Sequence, residues 1–222
     1  MTEHQLEVLE DAEAAARRAA ELIAQTAAEA IDSSGKFTLA ASGGKEPWVM
    51  YRMLGDFDID WQRTEVFQVD ERVAPDGNPD RNLTHLIESL PEPARSRVRP
   101  MPVGEDELDR AASEYAEGLP EQLDLVHLGL GPDGHTASLV PGDPVLEVTD
   151  RRVAVSDTYQ GHRRLTLTYP ELERAGKLLW LITGESKREP LGWLLANEGS
   201  IPAGRVESDD STVIADRDAA GK

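Results

Sequence analysis

Short apolar runs alternate with amphipathic segments along most of the chain, and this alternation restricts the fold more than any other feature. The runs KFTLAASGG, TEVFQVDE, LDLVHLGLG, KLLWLITG and STVIAD predict buried strands that end in turns or charges. Between them, EPWVMYRML, NLTHLIESL, EDELDRAASEYAEGL and SKREPLGWLLAN predict helices. Strands that alternate with helices predict an α/β fold with a mostly parallel sheet covered by helices on both faces.

The first part of the chain carries an apolar stripe at three- and four-residue steps. This period predicts one long opening helix, and the segment SSG at 33–35 predicts its end. The stripe consists of Leu6, Leu9, Ala12, Ala16, Ala19, Ile23, Ala27 and Ile31. Further along, RRVAVSD and RRLTLT predict two more strands, and the proline-rich piece at 90–102 predicts a surface connection. No boundary divides the chain, so we interpret 1–222 as a single domain.

Charge and composition restrict the partners and the compartment. The net charge of -19, from 23 basic against 42 acidic residues, argues against nucleic acid or an anionic membrane as a partner. No stretch approaches the ~18 apolar residues of a membrane span, and the acidic N-terminus lacks a signal peptide's apolar segment. The absence of cysteine excludes disulfides and thiolate chemistry. We expect a cytoplasmic protein that is a monomer or a small homo-oligomer.

The segment SGGKEP follows the first of the five strand predictions. A glycine-rich turn between a strand and a helix can present backbone N–H groups to a phosphate. Ser42 could add a hydroxyl and Lys45 a positive charge, although a tight turn alone would explain the same residues. The segment is neither G-x-G-x-x-G nor a Walker loop, which gives little support to a dinucleotide or nucleoside triphosphate site.

Three adjacent charges, Asp70, Glu71 and Arg72, follow the next strand prediction. A solvated cluster is the ordinary explanation for such a run. Its place at a strand end favours a functional role, because ligands of open parallel sheets bind at the carboxyl ends of the strands. Arg72 could bind phosphate or carboxylate oxygens with its two-pronged guanidinium.

The loop GLGPDGHTASLVPG at 129–142 places His135 among glycines directly after an apolar run. An unperturbed histidine titrates near ~6.5 and can act as a base at neutral pH. Asp133 could orient it or share a water molecule with it. A metal site formed by Asp133, His135 and Asp70 is the competing interpretation, which ranks lower because no H-E-x-x-H or H-x-H spacing occurs.

Further bases follow or flank other strand predictions. Lys187, in TGESK, would lie near a helix start, and Arg163 with Arg164 precedes LTLT. Each of them could be an ordinary surface base. The chain has only five lysines, however, so Lys45 and Lys187 at two strand ends favour a shared role. No G-x-S-x-G elbow occurs, which argues against a serine hydrolase. The motifs ASGG, VDER, GPDGH and TGESK are therefore predicted to converge on one pocket.

Taken together, these segments resemble the 6-phosphogluconolactonase family. LAASGGKEP is similar to its SGG-x-T-P loop, and VDERVAPDGNPDRN to its D-E-R…P-x-x-H-P-D-S-N segment. GLGPDGHTASLVPG nearly matches its most specific motif, G-x-G-P-D-G-H-x-A-S-L-F-P. RRLTLTYPELERA and LITGESKREPL match two later blocks, so five motifs occur in the family's order.

The resemblance implies a single Rossmann-like α/β domain without a metal or organic cofactor. The implied reaction is hydrolysis of 6-phospho-D-glucono-1,5-lactone to 6-phosphogluconate, in the oxidative pentose phosphate pathway. His135 would be the general base on the attacking water, and Asp70 and Asp133 would shape the pocket and position the histidine and the sugar. The residues implied to hold the substrate, mostly by its phosphate, are Ser42, Gly43, Gly44, Arg72 and Lys187.

Two segments depart from the family pattern. The hydroxyl-rich end of the phosphate loop is replaced by Lys45 and Glu46, of which the lysine suits a phosphate and the glutamate does not. The family's H-P-D-S-N is replaced by NPDRN at 78–82, from which Asn82 is carried over as a substrate contact.

The chemistry of a lactone needs few catalytic groups. Its carbonyl is already electrophilic, so neither a covalent nucleophile nor a metal is obligatory, and a positioned base contributes about 10²–10⁴-fold. The tetrahedral oxyanion needs hydrogen-bond donors. The backbone N–H groups of the loop from Gly131 to Gly134, or an arginine, are the candidates.

Two other functions are compatible with parts of the sequence. Glucosamine-6-phosphate deaminases share the phosphate loop and D-G-H, but a glutamate follows shortly after that motif, whereas HTASLVPGDP has none before Glu147. A non-catalytic sugar-phosphate sensor of a transcription regulator would carry a basic helix-turn-helix segment. This chain begins with acidic residues and is strongly negative, which disfavours the sensor.

Overall fold

A seven-stranded parallel sheet is the centre of the molecule, which we describe from a computed structural model covering residues 2–222. The ten strands, in chain order, are His4–Leu9 (β1), Phe37–Ala41 (β2), Thr64–Gln68 (β3), Asp70–Arg72 (β4), Val98–Arg99 (β5), Leu125–Leu128 (β6), Val153–Tyr159 (β7), His162–Leu167 (β8), Leu178–Ile182 (β9) and Ser211–Asp216 (β10). The larger sheet has the order β1-β10-β9-β6-β2-β3-β5, and every pairing in it is parallel. The predicted parallel α/β sheet is thus confirmed.

Helices connect the strands of this sheet. Those assigned are Ala12–Ser34 (α1), Lys45–Met53 (α2), Asn82–Ser89 (α3), Glu92–Arg95 (α4), Leu108–Gly118 (α5), Tyr169–Leu172 (α6), Arg188–Leu195 (α7) and Arg217–Ala220 (α8). All the helices predicted from the sequence are present. The predicted connection at 90–102 contains α4 and the edge strand β5. No helix within residues 2–222 combines the length and the apolarity that a bilayer crossing requires.

The predicted opening helix was wrong at its start, because a strand and a helix share that segment. Leu6 lies in β1, which pairs in parallel with β10, with Leu6 opposite Val213. Asp11 then begins α1, and its side chain accepts a hydrogen bond from the Ala14 N–H at 2.8 Å. Leu6 and Leu9 match the three- and four-residue spacing of the helix only by chance, because both lie in β1. The predicted end is confirmed, since Gly35 closes α1 in the left-handed region at a φ of 83°.

A second, antiparallel sheet with the order β4-β8-β7 was not predicted. The run TEVFQVDE, predicted as one strand, divides at Val69 into β3 and β4. Val69 belongs to neither, and its N–H donates to Ala41 at 3.1 Å while its carbonyl accepts from the Leu167 N–H at 2.8 Å. Val69 therefore links β2 of the large sheet to β8 of the small one.

Apolar side chains fill both faces of the parallel sheet. One face packs against α1, α2 and α3, through residues such as Ile23, Met50 and Leu86. The other face packs against α5, α7 and the small sheet, with Trp180 at its centre. Coverage by helices on both faces is confirmed, and the antiparallel sheet completes one of the two covers.

Candidate active site

A cavity of about 240 Å³ lies at the carboxyl ends of the central strands. This volume is slightly below the ~300–1,000 Å³ of pockets that bind drug-sized ligands, so the cavity suits a small ligand. The cavity is lined by Ser42, Gly43, Gly44, Glu46, Pro47, Asp70, Arg72, Asn82, Gly129, Leu130, Gly131, Pro132, His135, Ala137, Arg164, Leu181, Thr183 and Lys187. All four strand-end motifs contribute, so their predicted convergence on one pocket is confirmed.

His135 and Asp133 form a hydrogen-bonded pair at this cavity. Nδ1 of His135 lies 2.5 Å from Oδ1 of Asp133, which also accepts from the His135 backbone N–H at 3.2 Å. Partial burial raises the pKa of Asp133, but the hydrogen bonds and charge of His135 outweigh it, and the net pKa is lowered. The ionised carboxylate can only accept, so the proton lies on Nδ1 and Nε2 is the basic nitrogen.

The loop that carries this pair is folded tightly on itself. The Gly131 N–H donates to the His135 carbonyl at 2.8 Å, and the Gly134 N–H donates to Gly131 at 3.1 Å. A Cβ on Gly131 would lie 2.0 Å from Nδ1 of His135, so only glycine allows the imidazole this close to the backbone. The N–H groups of Gly131 and Gly134 are thus used inside the loop, and Pro132 has none.

Asp70 also lines the cavity and holds a different set of partners. Its Oδ2 accepts from the Ser138 hydroxyl at 2.5 Å, and its Oδ1 accepts from Asn82 Nδ2 at 3.2 Å. Burial raises the pKa of Asp70, against the lowering effects of Ser138 and of the nearby Arg164. Asp133, and not Asp70, is therefore the carboxylate that contacts His135.

The amide of Asn82 lies against the glycine loop that precedes α2. A Cβ on Gly43 would lie 2.2 Å from Oδ1 of Asn82, so the two residues are in direct contact. Asn82 lines the cavity and links Gly43 to Asp70, which places it between two predicted site residues. Among residues 2–222, no group of three or more His, Asp or Glu side chains is arranged to hold a metal ion.

The adjacent arginines 163 and 164 differ in their surroundings. Arg164 is buried with 3% exposure and lines the cavity, whereas Arg163 is exposed and does not. Neighbouring residues of a strand point to opposite faces, which explains the difference. Burial lowers the pKa of Arg164, and the Asp70 carboxylate opposes that effect. Its Nε is buried without a hydrogen-bond partner in the described structure.

Of the two predicted lysines, only Lys187 lines the cavity. Its Nζ donates to the Leu130 carbonyl at 2.6 Å. Burial lowers the pKa of Lys187, and the charges of Glu46 and Asp133 oppose this. Lys45 is exposed and outside the lining, while its neighbour Glu46 is part of the wall. The structure thus gives no support to a substrate contact by Lys45.

Arg72 and Ser42 complete the predicted set. Arg72 lines the cavity, and its Nη1 donates to the Asp80 carbonyl at 2.7 Å. The Ser42 hydroxyl donates to the His127 carbonyl at 2.8 Å, so its hydrogen is already engaged inside the protein. A contribution of Ser42 to anion binding would therefore come mainly from the position that it gives the neighbouring glycines.

A buried pair behind the glycine loop was not predicted. Tyr51 donates its hydroxyl to the Ser42 carbonyl at 3.1 Å and lies 2.9 Å from Nδ1 of His127. Burial lowers the pKa of His127 to about 3, so the ring is neutral at ordinary pH. Burial raises the pKa of Tyr51 well above its ordinary value. Helical spacing within α2 could have indicated that Tyr51 faces the core, but not which partner it meets.

Tyr159 is a second residue that the sequence analysis missed. Its hydroxyl donates to Oδ2 of Asp133 at 3.3 Å, and its ring lies edge-on to the His135 imidazole, with 5.5 Å between the centroids. The guanidinium of Arg164 lies over the same ring, 5.1 Å from its centroid. The sequence places Tyr159 directly before QG in TYQGH, which indicates the turn of a hairpin. It does not indicate which residues the turn packs against.

The family model described as glucosamine-6-phosphate isomerases/6-phosphogluconolactonase matches residues 10–215. A 6-phosphogluconolactonase of Synechocystis sp. is 34% identical over 210 residues, covering 87% of this chain and 86% of its own. The crystal structure of a 6-phosphogluconolactonase from Thermotoga maritima has a TM-score of 0.84 at 26% identity, covering 96% of this chain and 99% of its own. A monomeric glucosamine-6-phosphate deaminase reaches 0.86 at 21% identity, covering 98% and 99%, which shows that the two activities share this fold.

Proposed function

Because the chain belongs to the glucosamine-6-phosphate isomerase/6-phosphogluconolactonase family, we propose that it hydrolyses 6-phospho-D-glucono-1,5-lactone to 6-phosphogluconate, with His135 as the general base. This reaction belongs to the oxidative pentose phosphate pathway. The observation that carries the proposal is the His135–Asp133 pair on the wall of a cavity that also presents Arg72, Arg164 and Lys187.

The bases of the cavity suit a phosphorylated substrate. Arg72 and Lys187 lie at the ends of two different strands, on a wall that also contains the glycine loop before α2. A phosphate held by these groups would anchor the ring, so that remote binding energy orients the carbonyl towards the base. In a protein of net charge -19, such a local positive site is what makes binding of an anion favourable.

The reaction then follows from the two nitrogens of one imidazole. Nε2 of His135 removes a proton from water while the water oxygen bonds to the lactone carbonyl carbon. The imidazolium is stabilised by the Asp133 carboxylate at Nδ1, 2.5 Å away. When the tetrahedral intermediate collapses, the ring C–O bond breaks and the imidazolium returns the proton to the departing oxygen. The new carboxylic acid ionises and releases one proton.

The developing oxyanion needs a hydrogen-bond donor, and the Gly131 and Gly134 N–H groups are used inside the histidine loop. Arg164 is the candidate that the surroundings favour, because it is buried in the cavity wall and its Nε has no partner in the described structure. A fixed, desolvated guanidinium stabilises developing negative charge more strongly than one in water.

The structure favours lactone hydrolysis over deamination at one specific position. Glu147 is the first glutamate after D-G-H. Its side chain is 81% exposed, lies 3.5 Å from Arg205 and is absent from the cavity wall. The carboxylate that would be needed for sugar-ring opening is therefore not supplied from this segment. Glucosamine 6-phosphate remains the second substrate to test, because a deaminase has the same fold.

We further propose that the protein acts in the cytoplasm as a monomer or small homo-oligomer, without a nucleic acid or membrane partner. The strong negative charge disfavours nucleic acid or an anionic membrane as a partner. Binding of the lactone product without any turnover would instead support a sugar-phosphate sensor.

The experiment compares hydrolysis of 6-phosphogluconolactone by the wild type and His135→Ala in excess chelator, with the spontaneous rate subtracted. We expect His135→Ala to lose about 10²–10⁴-fold in kcat while product still binds. His85→Ala, which removes a half-buried histidine outside the cavity, is the control. Wild-type turnover no faster than the spontaneous rate would overturn the proposal.

A further inference from the structure

We propose that Tyr159 is a positioning residue of this active site, which holds the Asp133–His135 pair in its reactive geometry and couples it to Arg164. The inference rests on the proposed function, in which His135 is the base. It concerns a residue of the β7–β8 hairpin, which belongs to the small antiparallel sheet and not to any of the strand-end motifs.

Three contacts converge on this one side chain. The hydroxyl donates to Oδ2 of Asp133 at 3.3 Å, while Oδ1 of the same carboxylate faces Nδ1 of His135. The ring edge meets the imidazole at an interplanar angle of 65°. The ring face lies under the Arg164 guanidinium, a favourable position for a cation. Both carboxylate oxygens of Asp133 are therefore hydrogen-bonded. His135 is held by its hydrogen bond to this carboxylate and by the ring contact with Tyr159.

The backbone around Tyr159 is suited to a fixed position. The two residues after it, Gln160 and Gly161, have φ values of 49° and 86°, and Tyr159 pairs with His162 across them. Two successive positive φ values are the conformation of the tightest hairpin turns. The Tyr159 carbonyl also accepts from Nη2 of Arg164 at 3.3 Å, so one arginine contacts both its ring and its backbone.

The expected function of these contacts is to restrict rotation of the carboxylate. A carboxylate held only at Oδ1 can turn and let the imidazole leave the orientation that points Nε2 at the substrate. A second bond at Oδ2 removes this freedom, and it also withdraws part of the negative charge that stabilises the imidazolium. Without the hydroxyl, the full negative charge of the carboxylate faces the imidazole, so we expect the variant to reach full activity only at a higher pH.

Other charged groups face this region and enter any pH profile. Lys187 comes from the turn before α7, Glu46 from α2, Asp70 and Arg72 from β4, and Arg164 from β8. Tyr159→Phe keeps all of these residues and also the ring that Arg164 contacts, so a shift specific to that variant reports the loss of the hydroxyl.

The test compares Tyr159→Phe, Tyr159→Ala and the wild type in kcat, KM and the pH profile of kcat/KM. We expect Tyr159→Phe to lower kcat roughly fivefold, the equivalent of one hydrogen bond, with KM within about twofold. The acid limb of its profile should move to higher pH. Tyr159→Ala should lose more, and Tyr159→Phe should recover part of that loss by restoring the ring.

Tyr169→Phe is the matched control. The Tyr169 hydroxyl donates to the Pro202 carbonyl at 3.0 Å, and Arg205 lies 4.8 Å over its ring, outside the cavity. Tyr169→Phe also removes a hydroxyl that donates a hydrogen bond from a ring under an arginine. An effect of the substitution on stability alone should therefore occur in both variants. Only Tyr159→Phe should shift the pH profile.

Proton NMR gives a readout that does not depend on activity. The proton between Nδ1 of His135 and Oδ1 of Asp133 lies in a short hydrogen bond and should resonate far downfield. We expect this signal to shift or broaden in Tyr159→Phe and to persist in Tyr169→Phe. An unchanged signal, or an unchanged kcat and profile in an active enzyme, would overturn the role of Tyr159. An inactive wild type with a shifted signal would overturn only the lactonase proposal.

Discussion

Oδ1 of Asp133 lies 2.5 Å from Nδ1 of His135, and Gly131 provides the space in which the imidazole takes this position. The contact determines which nitrogen carries the proton. An asparagine at this place can offer its amide N–H to Nδ1, which moves the imidazole proton to Nε2 and removes the base.

We therefore expect Asp133→Asn to lower kcat by about 10²–10⁴-fold, the full contribution of a positioned base, with a small effect on KM. Steady-state kinetics of lactone hydrolysis would measure this. The control is Asp143→Asn, which changes an aspartate that does not line the cavity. Equal losses in both variants would point to a defect of folding instead of a defect of the base.

Lys187 and Lys45 are expected to differ sharply. Lys187→Met removes a cation from the cavity wall and should raise KM by about 10–100-fold, the range for a hydrogen bond to a charged group. Lys45→Met removes a cation that lies outside it and should leave KM within about twofold. A comparison of KM values at fixed ionic strength tests both, and a large effect of Lys45→Met would restore the prediction made from the sequence.

Glu46 places a negative charge on the wall of a cavity that is proposed to bind a phosphate. Glu46→Gln removes the repulsion and should lower KM roughly twofold to fivefold at low ionic strength, with a smaller difference at high salt. Glu185→Gln, an exposed acid outside the cavity wall, is the control. If Glu46→Gln raises KM instead, the main effect of Glu46 is to support Lys187.

His127 should make the protein sensitive to acid. Burial lowers its pKa to about 3, while an unfolded chain binds this proton near 6.5. Its contribution to stability is thus fully present above pH ~6.5 and is lost between there and about 3, with a slope approaching ~1.4 kcal/mol per pH unit. Denaturant unfolding of His127→Gln between pH 6.5 and 4.5 should show a shallower loss than the wild type. His85→Gln, which replaces a histidine on the surface of α3, serves as the reference, and identical slopes for the wild type and His127→Gln would contradict the buried neutral ring.

Much of the site could be predicted because parallel strands present their carboxyl ends at one edge. Each of the motifs at Ser42, Asp70, His135 and Lys187 follows an apolar run, and this local pattern was enough to bring them together. The sequence did not decide whether Asp70 or Asp133 orients His135, because that depends on side-chain rotamers and on the fold of one loop.

Other features depend on contacts between segments that are far apart in the chain. The sequence could not distinguish Arg163 from Arg164. Successive side chains of a strand point to opposite faces, and the sequence does not say which face of this strand meets the cavity. Tyr159 was missed because its partner Asp133 is separated from it by 26 positions. The segment at Leu6 was misassigned because β1 is stabilised by pairing with β10 at the other end of the chain.

Val69 is hydrogen-bonded both to Ala41 in the large sheet and to Leu167 in the small one. His135 and Asp133 belong to a loop that follows β6 of the large sheet, whereas Arg164 and Tyr159 come from a hairpin that is hydrogen-bonded in a separate ladder. The candidate active site thus lies where two separate sheets meet. A displacement of the hairpin relative to the large sheet would therefore be transmitted to the His135 loop through Val69 and through the contact of Tyr159 with Asp133.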